Sequence, residues 1–331
     1  IDNDGWPDLY VSLLGQSNHL FRNLEGKGFT DVSQSAKVAM PRFSFPTWSW
    51  DVDQDGWEDL FVMGYNTQRY FQVGYDVAAE YLGQTHRAAL PRLYRNLGNG
   101  QYAEESEAWG LNKVLYAMGC NFGDFDNDGW LDAYVGTGAP DMYSAVPNRA
   151  FQNVGGTHFI EVTAPGGFGQ IQKGHAVAFG DLDRDGDQDI YTVIGGSVGG
   201  DVFPNMLLEN PGWPDHHWVV LQLEGRKANR SALGARVELV LRTSEGGQRH
   251  LYRRIGTGGS FGASSLQLEV GLGRAEALDR VIVSWPIRGL PKQVYSGLEM
   301  NRAYRLIEGV AEPRSIAYTP VKLHGTHGHQ H

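Results

Sequence analysis

The sequence predicts an all-β protein, a propeller of repeated blades followed by a β-sandwich. Three observations predict it. A nine-residue acidic pattern recurs through the first two thirds of the chain, and each copy runs into a short apolar strand. Glycine reaches 44 of 331 residues without a collagen period. That is well above the usual ~7%, and it marks many tight turns. After residue 212 the acidic pattern stops, and six runs alternate apolar and polar residues with the period of a strand.

The repeat sets the organisation of residues 1–212. Its complete copies are Asp51-Val-Asp53-Gln-Asp55-Gly56-Trp57-Glu-Asp59, Asp124-Phe-Asp126-Asn-Asp128-Gly129-Trp130-Leu-Asp132 and Asp181-Leu-Asp183-Arg-Asp185-Gly186-Asp187-Gln-Asp189. The opening residues Asp2, Asp4, Gly5, Trp6 and Asp8 form a fourth copy without its first position. A chain that starts on Ile1 inside a motif predicts that further blades, and any targeting segment, precede it. The complete copies start 73 and 57 residues apart, an interval suited to propeller blades. Strands are expected at 9–11, 60–62, 133–135 and 190–192.

A second motif recurs between the loops. Leu20-Phe21-Arg-Asn23, Leu93-Tyr94-Arg-Asn96, Ala150-Phe151-Gln-Asn153 and Leu207-Leu208-Glu-Asn210 each lead to a Gly/Asn turn, and the first three continue into a strand. These read as hairpins. Residues 66–90 interrupt the pattern as an insertion. There, 76–82 is expected as a short helix capped by Asp76 and ended by Gly83.

The acidic loops point to a cation. Four carboxylates within nine residues repel one another unless a cation sits among them. Alternating aspartates at positions 1, 3 and 5 aim the same way, glycine at position 6 allows the bend, and Asp at position 9 closes the cage. Hard oxygen donors at this density favour Ca²⁺ over zinc or copper. About four calcium sites are expected. Their ligands would be Asp2, Asp4 and Asp8; Asp51, Asp53, Asp55 and Asp59; Asp124, Asp126, Asp128 and Asp132; and Asp181, Asp183, Asp185 and Asp189. Main-chain oxygens of Trp6, Trp57, Trp130 and Asp187 at position 7 would complete the sets, while the tryptophan rings pack on neighbouring strands. These loops are not EF-hands, which place a bidentate Glu at position 12. That position holds Val11, Val62, Val135 and Thr192.

Composition narrows the partners. The formal net charge is −10, which argues against a nucleic-acid backbone or an anionic membrane as main partner. No apolar run approaches the ~20 residues a transmembrane helix needs. One cysteine, Cys120, excludes an internal disulfide framework and a cysteine-based zinc cluster, and its surroundings predict a buried, inert thiol. His175 reads as a packed strand residue, and His216 and His217 open a strand at a junction rich in proline. The tail holds His324, His327, His329 and His331, a flexible end with adventitious metal affinity.

The loops, with the lead-ins Gly119-Cys-Asn-Phe-Gly123 and Gly174-His-Ala-Val-Ala-Phe-Gly180, resemble the FG-GAP/VCBS repeats of integrin-α-like propellers. Thr47-Trp48-Ser49-Trp50 departs from the glycine-rich lead-in. Further on, Asn229-Arg230-Ser-Ala232-Leu-Gly234-Ala235-Arg236-Val237, Val270-Gly271-Leu272-Gly273 and Val283-Ser284-Trp285-Pro286 resemble the ASPIC/UnbV domain. The order matches that of bacterial relatives of cartilage acidic protein. The expected domains are thus 1–212 as FG-GAP repeats, 213–309 as an ASPIC/UnbV sandwich and 310–331 as a His-rich flexible tail. The resemblance implies a calcium-stabilised binding, adhesion or scaffold protein that is secreted, periplasmic or on the cell surface. Its partner would be a protein, a glycan or sister subunits of a larger complex. The alternative is an enzyme or small-ligand-binding protein of secondary metabolism with a pocket at the propeller axis or beside the insertion. No catalytic residue is singled out.

Overall fold

A computed structural model describes residues 1–139, 144–196, 199–200 and 202–323. Among the described residues the chain is all-β apart from one short helix and one 3-10 turn. Four consecutive antiparallel sheets carry the repeats. The first holds β1 (Leu9–Val11), β2 (His19–Asn23) and β3 (Phe29–Asp31). The second holds β4 (Ser44–Trp50), β5 (Asp59–Gly64), β6 (Arg92–Asn96) and β7 (Tyr102–Glu104). The third holds β8 (Ala117–Gly123), β9 (Asp132–Thr137), β10 (Arg149–Val154) and β11 (His158–Glu161). The fourth holds β12 (Gly174–Gly180), β13 (Asp189–Ile194) and β14 (Met206–Leu208). In the second, third and fourth blades the acidic loop joins the first strand to the second, and the hairpin motif supplies the strands that follow.

Neighbouring blades pack in two ways. Between the second and third, aromatic rings fill the space: Trp50 stacks on Phe61 at 5.9 Å and on Phe159 at 5.7 Å, with Trp48 edge-on to both Trp50 and Phe61. The tryptophans that broke the glycine lead-in pattern are this filling. Between the third and fourth blades the first strands run much closer. A Cβ at Gly119 would lie 2.2 Å from the His175 carbonyl oxygen, so only glycine fits there. The second strands follow the same logic. β5 and β9 are buried on both faces, whereas β13 leaves Tyr191 and Val193 partly exposed on one.

The insertion forms α1 (Val73–Tyr81), which begins three residues before the expected Asp76. Asp76 does not cap it. Its carboxylate is fully buried and accepts bonds from Arg69 Nη2 at 3.1 Å and the Tyr116 hydroxyl at 3.1 Å. A long-range network thus claims the side chain that local rules assign to the helix end. The helix also brings Glu80 to Arg149. Arg149 donates to Glu80 Oε2 at 2.8 Å and through Nε to Glu161 Oε1 at 3.0 Å, and the Tyr81 ring covers the guanidinium at 5.0 Å.

The last third forms a two-sheet sandwich of eight strands rather than six. They are β15 (His217–Glu224), β16 (Arg236–Arg242), β17 (Gln248–Arg254), β18 (Leu268–Gly273), β19 (Ala277–Ser284), β20 (Gln293–Ser296), β21 (Arg302–Ile307) and β22 (Arg314–Ile316). One sheet runs β18-β15-β21-β22 and the other β17-β16-β19-β20, with β15 and β21 parallel. Val237, Leu239, Val281, Val283, Leu221 and Leu306 fill its own core. β22 falls in the stretch expected to be a flexible tail, and Val321 beyond it donates to the Asp183 carbonyl at 2.6 Å. The four tail histidines lie outside the described residues. His217 opens β15 and His175 sits within β12. Cys120 is fully buried, and burial pushes its thiol well up. Among the described residues no helix is long and apolar enough to cross a membrane.

Candidate metal centres

The acidic loops share one hydrogen-bond scheme that follows from their spacing. Position 4 takes a left-handed turn at Asn3, Gln54, Asn127 and Arg184, with φ between 55° and 62°. Position 6 is glycine at φ of 87°, 87°, 90° and 105°, beyond what a side chain adopts without strain. These two residues fold the loop back so that position 1 receives its main chain. Asp51 accepts from Asp55 N at 3.0 Å and Gly56 N at 2.8 Å. Asp124 accepts from Asp128 N at 3.1 Å and Gly129 N at 2.9 Å. Asp181 accepts from Asp185 N at 3.1 Å and Gly186 N at 3.0 Å. Position 5 caps position 7, as Trp57 N donates to Asp55 at 2.8 Å and Trp130 N to Asp128 at 2.8 Å.

Among the described residues three carboxylate groups result, each with ligand oxygens within 4.8 Å of one another. They are Asp51, Asp53 and Asp59; Asp124, Asp126 and Asp132; and Asp181, Asp183 and Asp185. Asp55 and Asp128 stay outside the first two sets, and Asp189 outside the third. Asp2, Asp4 and Asp8 form no such group. In the first loop Asp8 accepts from Asn23 N at 2.8 Å, as position 9 does in the other loops.

These groups suit a hard divalent cation. Burial, reinforced by the neighbouring aspartates, pushes Asp51 up to about 8 and Asp59 to about 9. The same causes raise Asp53 to about 6 and Asp181 to about 7, and lift Asp124 and Asp132 well above the carboxylate range. A site that resists bare charge this strongly needs a proton or a metal among its oxygens. Asp53 Oδ1 is buried with no hydrogen-bond partner. All-oxygen donors match calcium chemistry.

The rings at position 7 do pack. Trp6 covers the hairpin glycine Gly26, Trp57 covers Gly98 and Trp130 covers Gly156, each of them a turn of its own blade. In the fourth loop Asp187 takes this place against Gly212. Buried there among the other aspartates, it rises to about 8.

The recurring hairpin asparagine has a role that sequence reasoning missed. Its main-chain N–H donates to position 9 of its own loop: Asn96 to Asp59 at 2.7 Å, Asn153 to Asp132 at 2.8 Å and Asn210 to Asp189 at 2.9 Å. Its side-chain amide reaches the position-2 carbonyl of the preceding loop: Asn96 to Ile1 O at 2.9 Å, Asn153 to Val52 O at 2.9 Å and Asn210 to Phe125 O at 2.8 Å. One residue type therefore orients a candidate ligand and ties each blade to the one before it. The signal was in the sequence, an Asn at a fixed place in all four hairpins, but its partner was not. Asn153→Ala is expected to cost about 1–3 kcal/mol by leaving buried carbonyls unpaired, read as a lower urea midpoint.

Two family models match this chain. A model described as FG-GAP-like repeat matches residues 51–135 and 136–192. A model described as ASPIC and UnbV matches residues 225–313. No curated protein matches it.

Proposed function

We propose, on the premise that this chain is an FG-GAP repeat protein with a C-terminal ASPIC/UnbV domain, that it is a calcium-stabilised binding module working outside the cytoplasm. The family relationship gives the coarse role, protein interaction or adhesion. The observation that carries the calcium reading is the threefold gathering of aspartates, most of them buried, on loops folded back by a left-handed residue and a glycine. Asp51, Asp53 and Asp59, their counterparts in the next loop, and Asp181, Asp183 and Asp185 would hold the ions. The metal supplies charge neutralisation, and blade shape depends on it.

An interaction role also fits what lies at the centre of the repeats. The main chain of the C-terminal domain runs along β8 and β12 there, Ser260 exchanging bonds with Cys120 at 2.8 and 2.9 Å and Val177 N donating to Phe261 O at 2.9 Å. The insertion meanwhile exposes Tyr75 on α1 and Leu82 just past its end. The partner is a protein, a glycan or a sister subunit.

Calorimetric titration of chelated protein with Ca²⁺ tests the metal reading. About three equivalents are expected, and no uptake would overturn it. Crosslinking pull-down from the native envelope fraction tests the binding role. Retention in calcium that is lost with chelator supports it, and a protein that stays monomeric and partnerless counts against it.

A further inference from the structure

The C-terminal domain sits against the metal loops, and a large share of its contacts go to positions 3 to 6, the segment that a bound cation would shape. On the second loop, Tyr252 N donates to Gln54 Oε1 at 2.6 Å and Arg253 Nη1 to the same oxygen at 3.1 Å. On the third, Gly273 N donates to Asn127 O at 2.8 Å, Arg249 to Asp128 O at 2.7 Å and Arg253 to Gly129 O at 2.8 Å. On the fourth, the Trp218 ring covers Gly186 so closely that a Cβ there would overlap it. Val321 N caps the Asp183 carbonyl on the same loop. The fit is tight. A Cβ at Gly271 would lie 2.4 Å from both the Asn127 main chain and Asp124 Oδ2.

The two arginines bear on the mechanism. Both are buried against the acidic third loop, yet they donate to its main-chain oxygens and form no ion pair with its carboxylates. The domain thus reads the shape of the turn. That shape depends on position 1 receiving the turn's N–H groups, and the facing carboxylates repel one another unless a cation sits among them.

We propose that docking of the C-terminal domain onto the loop turns is coupled to metal loading. The domain closes when the loops hold calcium, and the closed domain in turn holds calcium more tightly. The proposal rests on the metal reading above. Coupling between two binding events is reciprocal, so the factor by which calcium favours docking equals the factor by which docking favours calcium.

The test uses the full chain and Ca²⁺ itself. Uptake is measured first by calorimetry. Hydrogen exchange is then followed in calcium and after chelation, with metal removal verified by elemental analysis. On chelation, amides of 252–264 and 271–273 are expected to exchange about tenfold faster or more, while those of Val237, Leu239, Val281 and Val283 in the sandwich core stay protected. The reciprocal arm measures calcium affinity in Gly271→Ala, which blocks close approach to the third loop, and in Arg249→Gln, a milder change should the first not fold. Affinity is expected to fall about tenfold in the first and less in the second. A protein that takes up no calcium overturns the metal reading itself. One that takes it up, but whose interface stays protected after chelation or loosens only together with the sandwich core, overturns the coupling alone. Unchanged affinity in both variants does the same.

Discussion

Stripping divalent cations from this protein is expected to lower its stability by about 4 kcal/mol and its Tm by roughly 6 °C, with both restored by calcium. A ligand that binds only the folded state at about ten times its Kd adds roughly 1.4 kcal/mol, and loops of this type bind at roughly 10⁻⁴–10⁻³ M. Three gathered carboxylate groups give the total. The effect is concentrated because Asp59 and Asp132 are fully buried and Asp124 almost so, leaving no water to screen their charge once the cation is gone. Differential scanning calorimetry with and without chelator reads it directly. A melt that stays put after complete metal removal would mean that protons already satisfy these oxygens.

Arg149→Met is expected to cost about 3–5 kcal/mol at neutral pH, the penalty for removing one partner of a buried charge group. The guanidinium is fully buried and spans Glu80 on the inserted helix and Glu161 on β11. Burial alone would raise both glutamates, but the bonds and charge of Arg149 outweigh it and hold them below the usual range. Groups with depressed values stabilise the fold above their unfolded-state pKa and lose that contribution as pH falls through the folded one. The deficit of the variant is therefore largest near pH 7 and shrinks as the medium is acidified toward the glutamate range. Urea midpoints at pH 7 and pH 4 check both size and sign. A deficit that does not change with pH would point to lost packing against Tyr81 and Phe151, whose rings also face the guanidinium.

Much of this was legible because it is local. Asp at positions 1, 3, 5 and 9 with Gly at 6 dictates a loop, and the loop dictates where the carboxylates meet. The short apolar runs after each loop became β1, β5, β9 and β13. What was not legible depends on distant partners. Asp76 looked like a helix cap until Arg69 and Tyr116 claimed it. β20 and β22 escaped notice because they are three or four residues long and lack clear alternation. The seating of the sandwich on the loops leaves no periodic trace, only isolated glycines such as Gly271 whose missing side chains make room.

The asparagine link bears on how such arrays grow. Each amide grips a main-chain carbonyl, and the residues that offer it are as different as Ile1, Val52 and Phe125. Nothing in that joint depends on the side chain it meets. A duplicated blade inserted by recombination brings its own asparagine and finds a ready socket on whatever neighbour precedes it. The joint itself would survive such an insertion, while the packing of the first strands, aromatic at Trp48 and Trp50 and glycine-only at Gly119, would have to be matched anew.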